Sequence, residues 1–491
     1  MQLTLLKPPS KPWIPHGYQK KAVRFLLEHA GCALFLDPGL GKTSITLGAI
    51  KVLKKKGLLG KVLLIAPLRV CHSVWPAELE KWKDFEGLKA VVLHGSKKEQ
   101  LLKEDADIYI INPEGLEWLL NVTKKKDGRG RVSISIDMKR WKSLGFDRLV
   151  IDELSKFKHT NTNRYKALKL VLNTFTSRWG LTGSPASNGL LDLFGQCFIL
   201  DMGRSLGQYI THYRLKYFDQ SYDGFSWTIK EGAEEEIYKR LAPLALRMAA
   251  EDYIDMPTLV YNDIRIELPP NVRSVYDQLE EDLIAKIDSG VITAGTAAAA
   301  SIKCRQIANG GIYLTPDVQA LVKLPKNARE WANLHTEKVD ALADLIDELQ
   351  GSPLLVAYDF EHDLDRLRIK LGKDIPYIGG GVSVKRSKEL EVMWNAGKLP
   401  VLLGHPQSIA HGLNLQEMGN HVAWHSMTWD YELYDQFVRR VRRQGNKSKR
   451  VFCHHILAAD TIDDVMLAAT KTKRNGQQAL FEGLKRLRKK L

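Results

Sequence analysis

The stretch from Ala33 to Ile50, ALFLDPGLGKTSITLGAI, constrains the fold of this chain more than any other. It predicts a buried strand, a glycine-rich turn and a helix in direct succession. Backbone N–H groups of such a turn converge at the N-terminus of the following helix, where the helix dipole favours an anion. The stretch therefore predicts a phosphate-binding loop. The usual pattern begins with glycine where this chain has Leu36, but Leu36 belongs to the strand, so no phosphate contact is lost.

This loop gives the side chains that follow it defined roles. Lys42 is expected to reach the β- and γ-phosphates of a nucleotide, and the Thr43 hydroxyl to hold Mg²⁺. The predicted nucleotide-binding positions of the loop are Pro38, Gly39, Leu40, Gly41, Lys42, Thr43 and Ser44.

A phosphate loop needs an acid for its metal, and the segment RLVIDEL supplies one. Its apolar residues predict a strand that ends at Asp152 and Glu153. Asp152 suits coordination of Mg²⁺, and Glu153 suits orienting or deprotonating the attacking water. Farther on, LTGSPASNG predicts a turn after another strand, with hydroxyls that could contact this acidic pair.

Apolar runs typical of buried strands alternate with helical stretches along most of the chain. KVLLIAPL, DADIYIINP and FDRLVIDEL are examples in the first half, and SPLLVAYDF, LPVLLGHP and RVFCHHIL in the second. This alternation predicts an α/β fold with mostly parallel sheets flanked by helices. We predict a first lobe at 1–255, including a helical segment at 203–255, a second lobe at 256–470, and a basic helix at 471–491. The stretch 124–140 predicts a basic hairpin inserted in the first lobe.

The charge balance favours an anionic partner. Lysine and arginine total 72 against 57 aspartate and glutamate, a formal net charge of +15. Nucleic acid is the first expectation, ahead of an acidic membrane or a generally basic protein. The five cysteines are scattered and no apolar run reaches the ~18 residues of a membrane span, so we expect a reducing, cytoplasmic setting. Neighbouring Cys453, His454 and His455 alternate in direction on a strand, which disfavours a shared metal.

The segment YDQFVRRVRRQG predicts a helix with Gln436, Arg440 and Arg443 on one face. Arginines on a second lobe that reach a phosphate loop on the first would act as arginine fingers, which stabilise the charge of phosphoryl transfer. A nucleic-acid-binding helix is the alternative, particularly for Arg439 and Arg442.

Taken in order, these motifs resemble those of superfamily-two helicases, and within them the Swi/Snf-type DNA translocases. The resemblance covers most of the chain and includes DPGLGKT, DEL, LTGSP, HGLNLQ and QFVRRVRRQG. It implies two RecA-like lobes that hold ATP and Mg²⁺ between them, with Arg440 and Arg443 as the fingers. It also implies that Gln19 reads the adenine beside Tyr18, and that Gly412 and Gln436 lie at the nucleotide.

The resemblance also implies contacts to nucleic acid and has three departures. The implied contacts are Arg69, Asn112, Ser187, Asn188, Gln407 and Arg439. Ser155 stands where the family has histidine, Gly404-His405-Pro406 stands where it usually has serine or threonine, and Tyr431 replaces a proline. The compactness of the chain is usual for prokaryotic or viral members, which for a viral protein would mean the host cytoplasm.

The sequence thus predicts an enzyme, an ATP-driven motor on nucleic acid, with duplex DNA as the first partner and single-stranded DNA or RNA as others. One alternative is a helicase that separates strands of DNA or RNA. A second, from another class, is an ATP-sensing DNA-binding scaffold without turnover, for which Ser155 and the altered segment around His405 are the support. A small-molecule kinase would leave the arginines of the second lobe unexplained. The sequence names no protein partner.

Overall fold

The computed structural model describes residues 11–126, 128, 132–187, 189–220, 227–288, 294–314, 331–410 and 412–473. This part of the chain forms two compact units that divide between Ile254 and Asp255. The basic helix predicted for 471–491 lies beyond Lys473 almost entirely outside the described residues. No helix in the described ranges is both long enough and apolar enough to span a bilayer.

The first unit is built on a seven-stranded, wholly parallel sheet with the strand order β11-β1-β8-β7-β2-β4-β3. Its strands are β1 (Gly31–Leu36), β2 (Lys61–Ile65), β3 (Ala90–Val92), β4 (Ile108–Ile111), β5 (Thr123–Lys126), β6 (Val132–Ser135), β7 (Phe146–Asp152), β8 (Ser177–Thr182), β9 (Phe218–Gln220), β10 (Trp227–Ile229) and β11 (Ala245–Met248). Its helices are α1 (Gly17–Glu28), α2 (Lys42–Lys55), α3 (Leu68–Lys81), α4 (Lys98–Leu101), α5 (Leu116–Leu119), α6 (Met138–Leu144), α7 (Asn163–Lys169), α8 (Leu193–Asp201), α9 (Ile210–Tyr217) and α10 (Ala233–Leu241).

Burial on both faces explains the nearly continuous apolar sequence of the central strands. All residues of β4 and β8 are buried, as are four of the five in β2. Two short antiparallel pairs, β5–β6 and β9–β10, lie outside the main sheet, and β5–β6 is the predicted basic hairpin. The stretch 203–255, predicted as helical, contains the helices α9 and α10 but also the strands β9, β10 and β11. Strand β11 pairs with β1 and forms an edge of the main sheet.

The second unit holds a six-stranded, wholly parallel sheet with the order β12-β19-β18-β15-β17-β16. Its strands are β12 (Thr258–Ile266), β13 (Gly311–Tyr313), β14 (Trp331–Asn333), β15 (Leu354–Ala357), β16 (Tyr377–Ile378), β17 (Val401–Gly404), β18 (His421–Trp424) and β19 (Arg450–Ala458). Its helices are α11 (Pro270–Asp288), α12 (Ala294–Asn309), α13 (Glu337–Glu348), α14 (Glu361–Leu371), α15 (Val384–Asn395), α16 (Pro406–Ile409) and α17 (Tyr431–Val438). The predicted α/β class, with two parallel sheets flanked by helices, is confirmed.

The helix predicted across the arginine-rich segment is wrong in its extent. Helix α17 ends at Val438, so Arg440 and Arg443 lie in the turns that follow it. The carbonyl of Arg440 accepts a hydrogen bond from the Leu415 N–H at 3.2 Å, which takes the place of a continued helical bond. The arginines are therefore positioned by the Leu413–Leu415 segment and not by helical periodicity.

A hydrogen-bonded chain of side chains joins β12, β19 and α17, with His455 and Tyr434 buried and Asp263 exposed. His455 Nδ1 lies 2.6 Å from Asp263 Oδ1, and the Tyr434 hydroxyl lies 2.8 Å from His455 Nε2. Burial opposes protonation of His455, but the neighbouring Cys453 sulfur and the Asp263 carboxylate together raise its pKa to about 9. His454, on the opposite face of β19, has a pKa lowered to about 4 by burial.

The charged His455 makes the stability of the second unit depend on pH. Because the folded-state pKa lies above the unfolded value of about 6.5, the stabilisation is complete below that pH and is lost as the pH rises through about 9. We expect the free energy of unfolding to fall on the order of 3 kcal/mol across this window. Urea unfolding at a series of pH values measures it.

Two histidine variants separate this effect from general loss of packing. His455→Asn should flatten the pH dependence between about pH 6.5 and 9. His454→Asn removes a buried histidine from the same strand that is already neutral, so it should leave the slope unchanged. Equal slopes in both variants and the wild type would contradict the assignment.

Candidate nucleotide and nucleic-acid site

The phosphate loop has the backbone geometry that its glycines allow. Gly39 and Gly41 have φ angles of 97° and 79°, in the left-handed region, and Gly41 caps the N-terminus of α2. A Cβ on Gly41 would lie 2.7 Å from Gln19 Nε2 and 2.8 Å from Ser44 Oγ, so a larger residue would displace these side chains and strain the positive φ. Lys42 Nζ donates to the carbonyl of Leu36 at 2.8 Å. The loop thus presents a helix N-terminus and an ammonium group on one side.

A buried ion pair fixes the start of the loop. Arg247 Nη2 lies 2.8 Å from Asp37 Oδ1, and both side chains are buried. Asp37 Oδ2 also accepts from the Ala250 N–H at 3.0 Å, while Arg247 donates to the carbonyls of Phe35 and Met248. Sequence reasoning missed Arg247. The sequence feature that could have indicated this role is an arginine inside the otherwise apolar run ALRMA, because a buried guanidinium requires a partner.

Gln19 and Tyr18 lie against the loop, as the resemblance implied for an entry segment. Gln19 Nε2 donates to the Leu40 carbonyl at 3.3 Å, and its Oε1 accepts from the His16 N–H at 3.0 Å. The Tyr18 ring packs on Tyr253 with centroids 4.9 Å apart, and burial raises the pKa of its hydroxyl. In this conformation Gln19 braces the loop backbone, and reading of adenine by Gln19 stays a prediction.

Asp152 ends β7 as a buried carboxylate with donors around it. The Trp75 indole Nε1 donates to Asp152 Oδ2 at 2.9 Å, and the Glu153 N–H donates to Oδ1 at 3.1 Å. Burial raises the pKa of Asp152, whereas the charge of Lys42 and these two donors lower it, and burial dominates. A cation at this carboxylate would favour its ionised form. Sequence reasoning missed Trp75, which lies 77 positions away.

Glu153 and the turn after β8 complete the nucleotide side. Glu153 has φ 57°, a left-handed conformation that costs a non-glycine residue about 1 kcal/mol and is typical of functional sites. The buried Ser184 N–H donates to the Thr182 hydroxyl at 3.1 Å. A Cβ on Gly183 would lie 3.3 Å from Pro38 Cδ, so this turn packs directly on the phosphate loop.

The residues implied to contact nucleic acid extend along the same edge of the sheet. In the order β1, β8, β7, β2, β4, the carboxyl ends carry the phosphate loop, the Thr182 turn, Asp152, Arg69 and Asn112. With about 4.8 Å between strands, the edge from β1 to β4 spans roughly 19 Å. Ser187 is fully buried, which argues against a direct phosphate contact in this conformation. Asn188 lies outside the described residues.

In the second unit the structure brings Arg440 and Arg443 to the segment at Gly412–Asn414. Arg440 Nη1 donates to the Leu413 carbonyl at 3.0 Å, and Arg443 Nη1 donates to Asn414 Oδ1 at 2.5 Å. Arg440 is 9% exposed, so Arg443 is the more accessible of the two guanidinium groups.

Gln436 is also buried near these arginines. Its Nε2 donates to Glu432 Oε1 at 3.1 Å, and its backbone carbonyl accepts from Arg440 Nε. Its Oε1 has no hydrogen-bond partner among the described residues. Of the other two candidates of this unit, Gln407 is exposed at α16, and Arg439 pairs with Asp435 at 2.7 Å.

Comparison with known proteins identifies the family. The model of the SNF2-related domain matches residues 18–310, which is more than half of the chain. The chain belongs to the SNF2-related family. Putative protein p41 of Acyrthosiphon pisum secondary endosymbiont phage 1 is 32% identical over 97% of this chain and its own full length. The uncharacterized ATP-dependent helicase YqhH of Bacillus subtilis is 20% identical over 94% of this chain and 78% of that protein.

Two further matches come from a eukaryote and an archaeal structure. Chromodomain-helicase-DNA-binding protein 7 of Gallus gallus is 27% identical over 38% of this chain, which corresponds to 6% of that protein. The Sulfolobus solfataricus SWI2/SNF2 ATPase core in complex with dsDNA aligns with 99% of this chain and 98% of that chain, at 22% identity and a TM-score of 0.43.

As an SNF2-related protein the chain is an enzyme, a DNA-dependent ATPase of the helicase type. Its residues fit a magnesium nucleotide: a buried carboxylate, Asp152, lies within electrostatic reach of Lys42, beside a helix N-terminus. Among the described residues, no group of three or more His, Cys, Asp or Glu side chains could hold a metal. A Mg²⁺ here would use Asp152, the Thr43 hydroxyl, phosphate oxygens and water, as is usual for this ion.

The indole of Trp75 should matter for turnover. Trp75→Phe removes a hydrogen bond to a charged group, worth about 1.5–3 kcal/mol, so kcat should fall about tenfold or more. Because that donor lowers the pKa of Asp152, its loss should also move the acid limb of the ATPase profile to higher pH. Steady-state ATPase rates between pH 5 and 9 test both effects.

Trp82→Phe is the matched control. Trp82 follows the same helix, and its Nε1 donates to Glu78 at 2.6 Å near the surface. This variant should retain wild-type kcat and pH profile. If the two variants behave alike, Trp75 has only a packing role.

Proposed function

We propose that this protein is an ATP-driven motor that translocates on duplex DNA. The observation that carries the proposal is the order of groups along one edge of the first sheet. The phosphate loop, the Thr182 turn and Asp152 lie at the ends of three neighbouring strands, and Arg69 and Asn112 follow the next two. In this arrangement the nucleotide and the DNA backbone would bind to the same edge of one sheet. Binding or hydrolysis of the nucleotide could then alter the position of the residues that contact DNA.

The first unit supplies the hydrolytic groups in this proposal. Lys42 and the backbone N–H groups of the loop bind the phosphates, and Glu153 orients the attacking water. Thr43 and Asp152 hold Mg²⁺, which neutralises charge on the phosphate oxygens. The buried position of Asp152 supports this role, because its charge would be costly without a cation.

The second unit supplies guanidinium groups to the γ-phosphate. Arg443 is the stronger candidate, since Arg440 is largely engaged with the Leu413 carbonyl. Family membership supports this role, and the shared attachment of both arginines to Leu413–Asn414 supports joint movement of that segment with them. Stepping along DNA would use contacts to phosphate and not to base edges, so binding should be independent of sequence and sensitive to salt.

A second candidate function is strand separation. The β5–β6 hairpin favours it, since a hairpin projecting beside the nucleic-acid edge could act as a wedge. Triplex displacement without unwinding of forked duplexes supports translocation, and unwinding supports the helicase.

The experiment that tests the proposal is the ATPase rate with duplex DNA, single-stranded DNA and RNA. The largest stimulation is expected with duplex DNA. Equal rates with and without every nucleic acid would contradict a motor, and stimulation by RNA alone would contradict the choice of partner.

Lys42→Ala tests the phosphate loop. It removes the ammonium group that would contact the β- and γ-phosphates, so ATP turnover should fall below detection while duplex binding stays near the wild-type level. Filter binding measures duplex binding, and near-normal binding shows that the variant is folded. Normal hydrolysis by this variant would contradict the site.

Arg443→Ala tests the second unit. ATP should still bind, but hydrolysis should fall about 10³-fold or more, as for arginine fingers in other NTPases. Arg442→Ala is the matched control, because Arg442 is bonded to the Pro257 carbonyl at 2.9 Å and has no proposed catalytic role. Fluorescent nucleotide binding and phosphate release measure the two steps. A similar loss in both variants would point to a structural role.

A further inference from the structure

The β5–β6 hairpin carries a dense basic surface that the motor chemistry does not use. All four residues of β5, Thr123–Lys126, are exposed. The eight residues of the two strands include three lysines, three hydroxyl side chains and no carboxylate. Lysine is depleted in strands, and three in succession place like charges close together. Such a strand gains most from an anionic partner.

The two faces of the hairpin differ in chemistry. Lys124 pairs across the strands with Ile134, and Ile134 packs against the hydrophobic core of the first unit. Lys125 pairs with Ser133 on the opposite face. That outward face consists of Thr123, Lys125, Ser133 and Ser135. Small hydroxyl groups and ammonium groups are the side chains that bind phosphate oxygens without reading sequence.

The core holds the base of this hairpin firmly. The Asp137 N–H donates to the Leu120 carbonyl at 3.3 Å where the two strands begin and end. Val122 and Ile136 pack with Ile134 against the core. The lysines therefore project from a fixed base, which lowers the entropy lost when they bind.

The position of the hairpin places it near the nucleic-acid edge. The chain leaves the carboxyl end of β4 at Asn112, makes the short helix α5 and enters β5. Strand β6 packs against α7, and α7 is held to the same turn by the ion pair of Arg164 with Glu114 at 3.2 Å. The hairpin thus continues the edge that carries Arg69 and Asn112.

We propose that the β5–β6 hairpin binds the phosphate backbone of duplex DNA outside the motor core, through Lys125 and the hydroxyl groups of its outward face, together with the exposed Lys126 on the other face. This inference rests on the proposed function, since it extends the DNA path of the same motor. The contact is independent of base sequence. It lengthens the footprint and holds the duplex while the motor steps.

The test is the salt dependence of duplex binding by the full chain. Each lysine contact to phosphate that is lost lowers the slope of log K against log salt by about 0.9. Lys125→Gln with Lys126→Gln should therefore reduce the slope by about one to two and weaken binding at low salt. DNA-free ATPase activity and melting temperature should be unchanged.

Lys55→Gln with Lys56→Gln is a matched control. These are also two consecutive exposed lysines in the first unit, and each pair follows a lysine that is ion-paired, Lys54 with Asp107 and Lys124 with Glu117. The control should keep the wild-type slope.

The outcomes separate the inference from the proposed function. If the wild type fails to bind duplex DNA, the proposed function and the inference both fail. If the wild type binds and both double variants keep its slope, only the hairpin assignment fails. The same holds if the hairpin variant aggregates yet binds normally while soluble, because edge-strand lysines would then serve to prevent strand pairing. A slope change seen only with single-stranded DNA or RNA also overturns the assignment.

Discussion

The buried carboxylate of Asp152 is the constraint on which the rest of the first unit depends. A negative charge at the end of a buried strand is costly unless donors and cations surround it. Trp75, the Glu153 N–H and the nearby charge of Lys42 provide these partners without any ligand. Each belongs to a different element, so the charge holds α2, α3 and the end of β7 in one arrangement. The buried carboxylate is therefore already positioned to bind a cation.

In the second unit, positively charged side chains are held in place by hydrogen bonds in a comparable way. Its guanidinium groups at Arg440 and Arg443 are bound by oxygen atoms of Leu413 and Asn414. These two hydrogen bonds fix the guanidinium groups at one segment of the chain.

Local pattern was sufficient for the strands, the phosphate loop and the acidic pair, because each depends on neighbouring residues. The ion pair of Arg247 with Asp37 and the bond of Trp75 to Asp152 could not be predicted this way, since the partners lie 210 and 77 positions apart. The end of α17 was missed for a related reason. Helical spacing continues past Val438 in the sequence, but the tertiary bond between Arg440 and Leu415 ends the helix first.

Helix α3 connects the two functions assigned to the first unit. Arg69 lies in its first turn, at the end of β2 that is implied to meet DNA, and Trp75 lies further along the same helix in contact with Asp152. Six residues of helix separate them by about 9 Å. In the proposed motor, Trp75 therefore links the helix that carries Arg69 to the carboxylate that would hold Mg²⁺. A DNA-dependent ATPase requires a connection between its DNA and nucleotide sites, and this hydrogen bond between an indole and an acid is the contact that joins α3 to the end of β7.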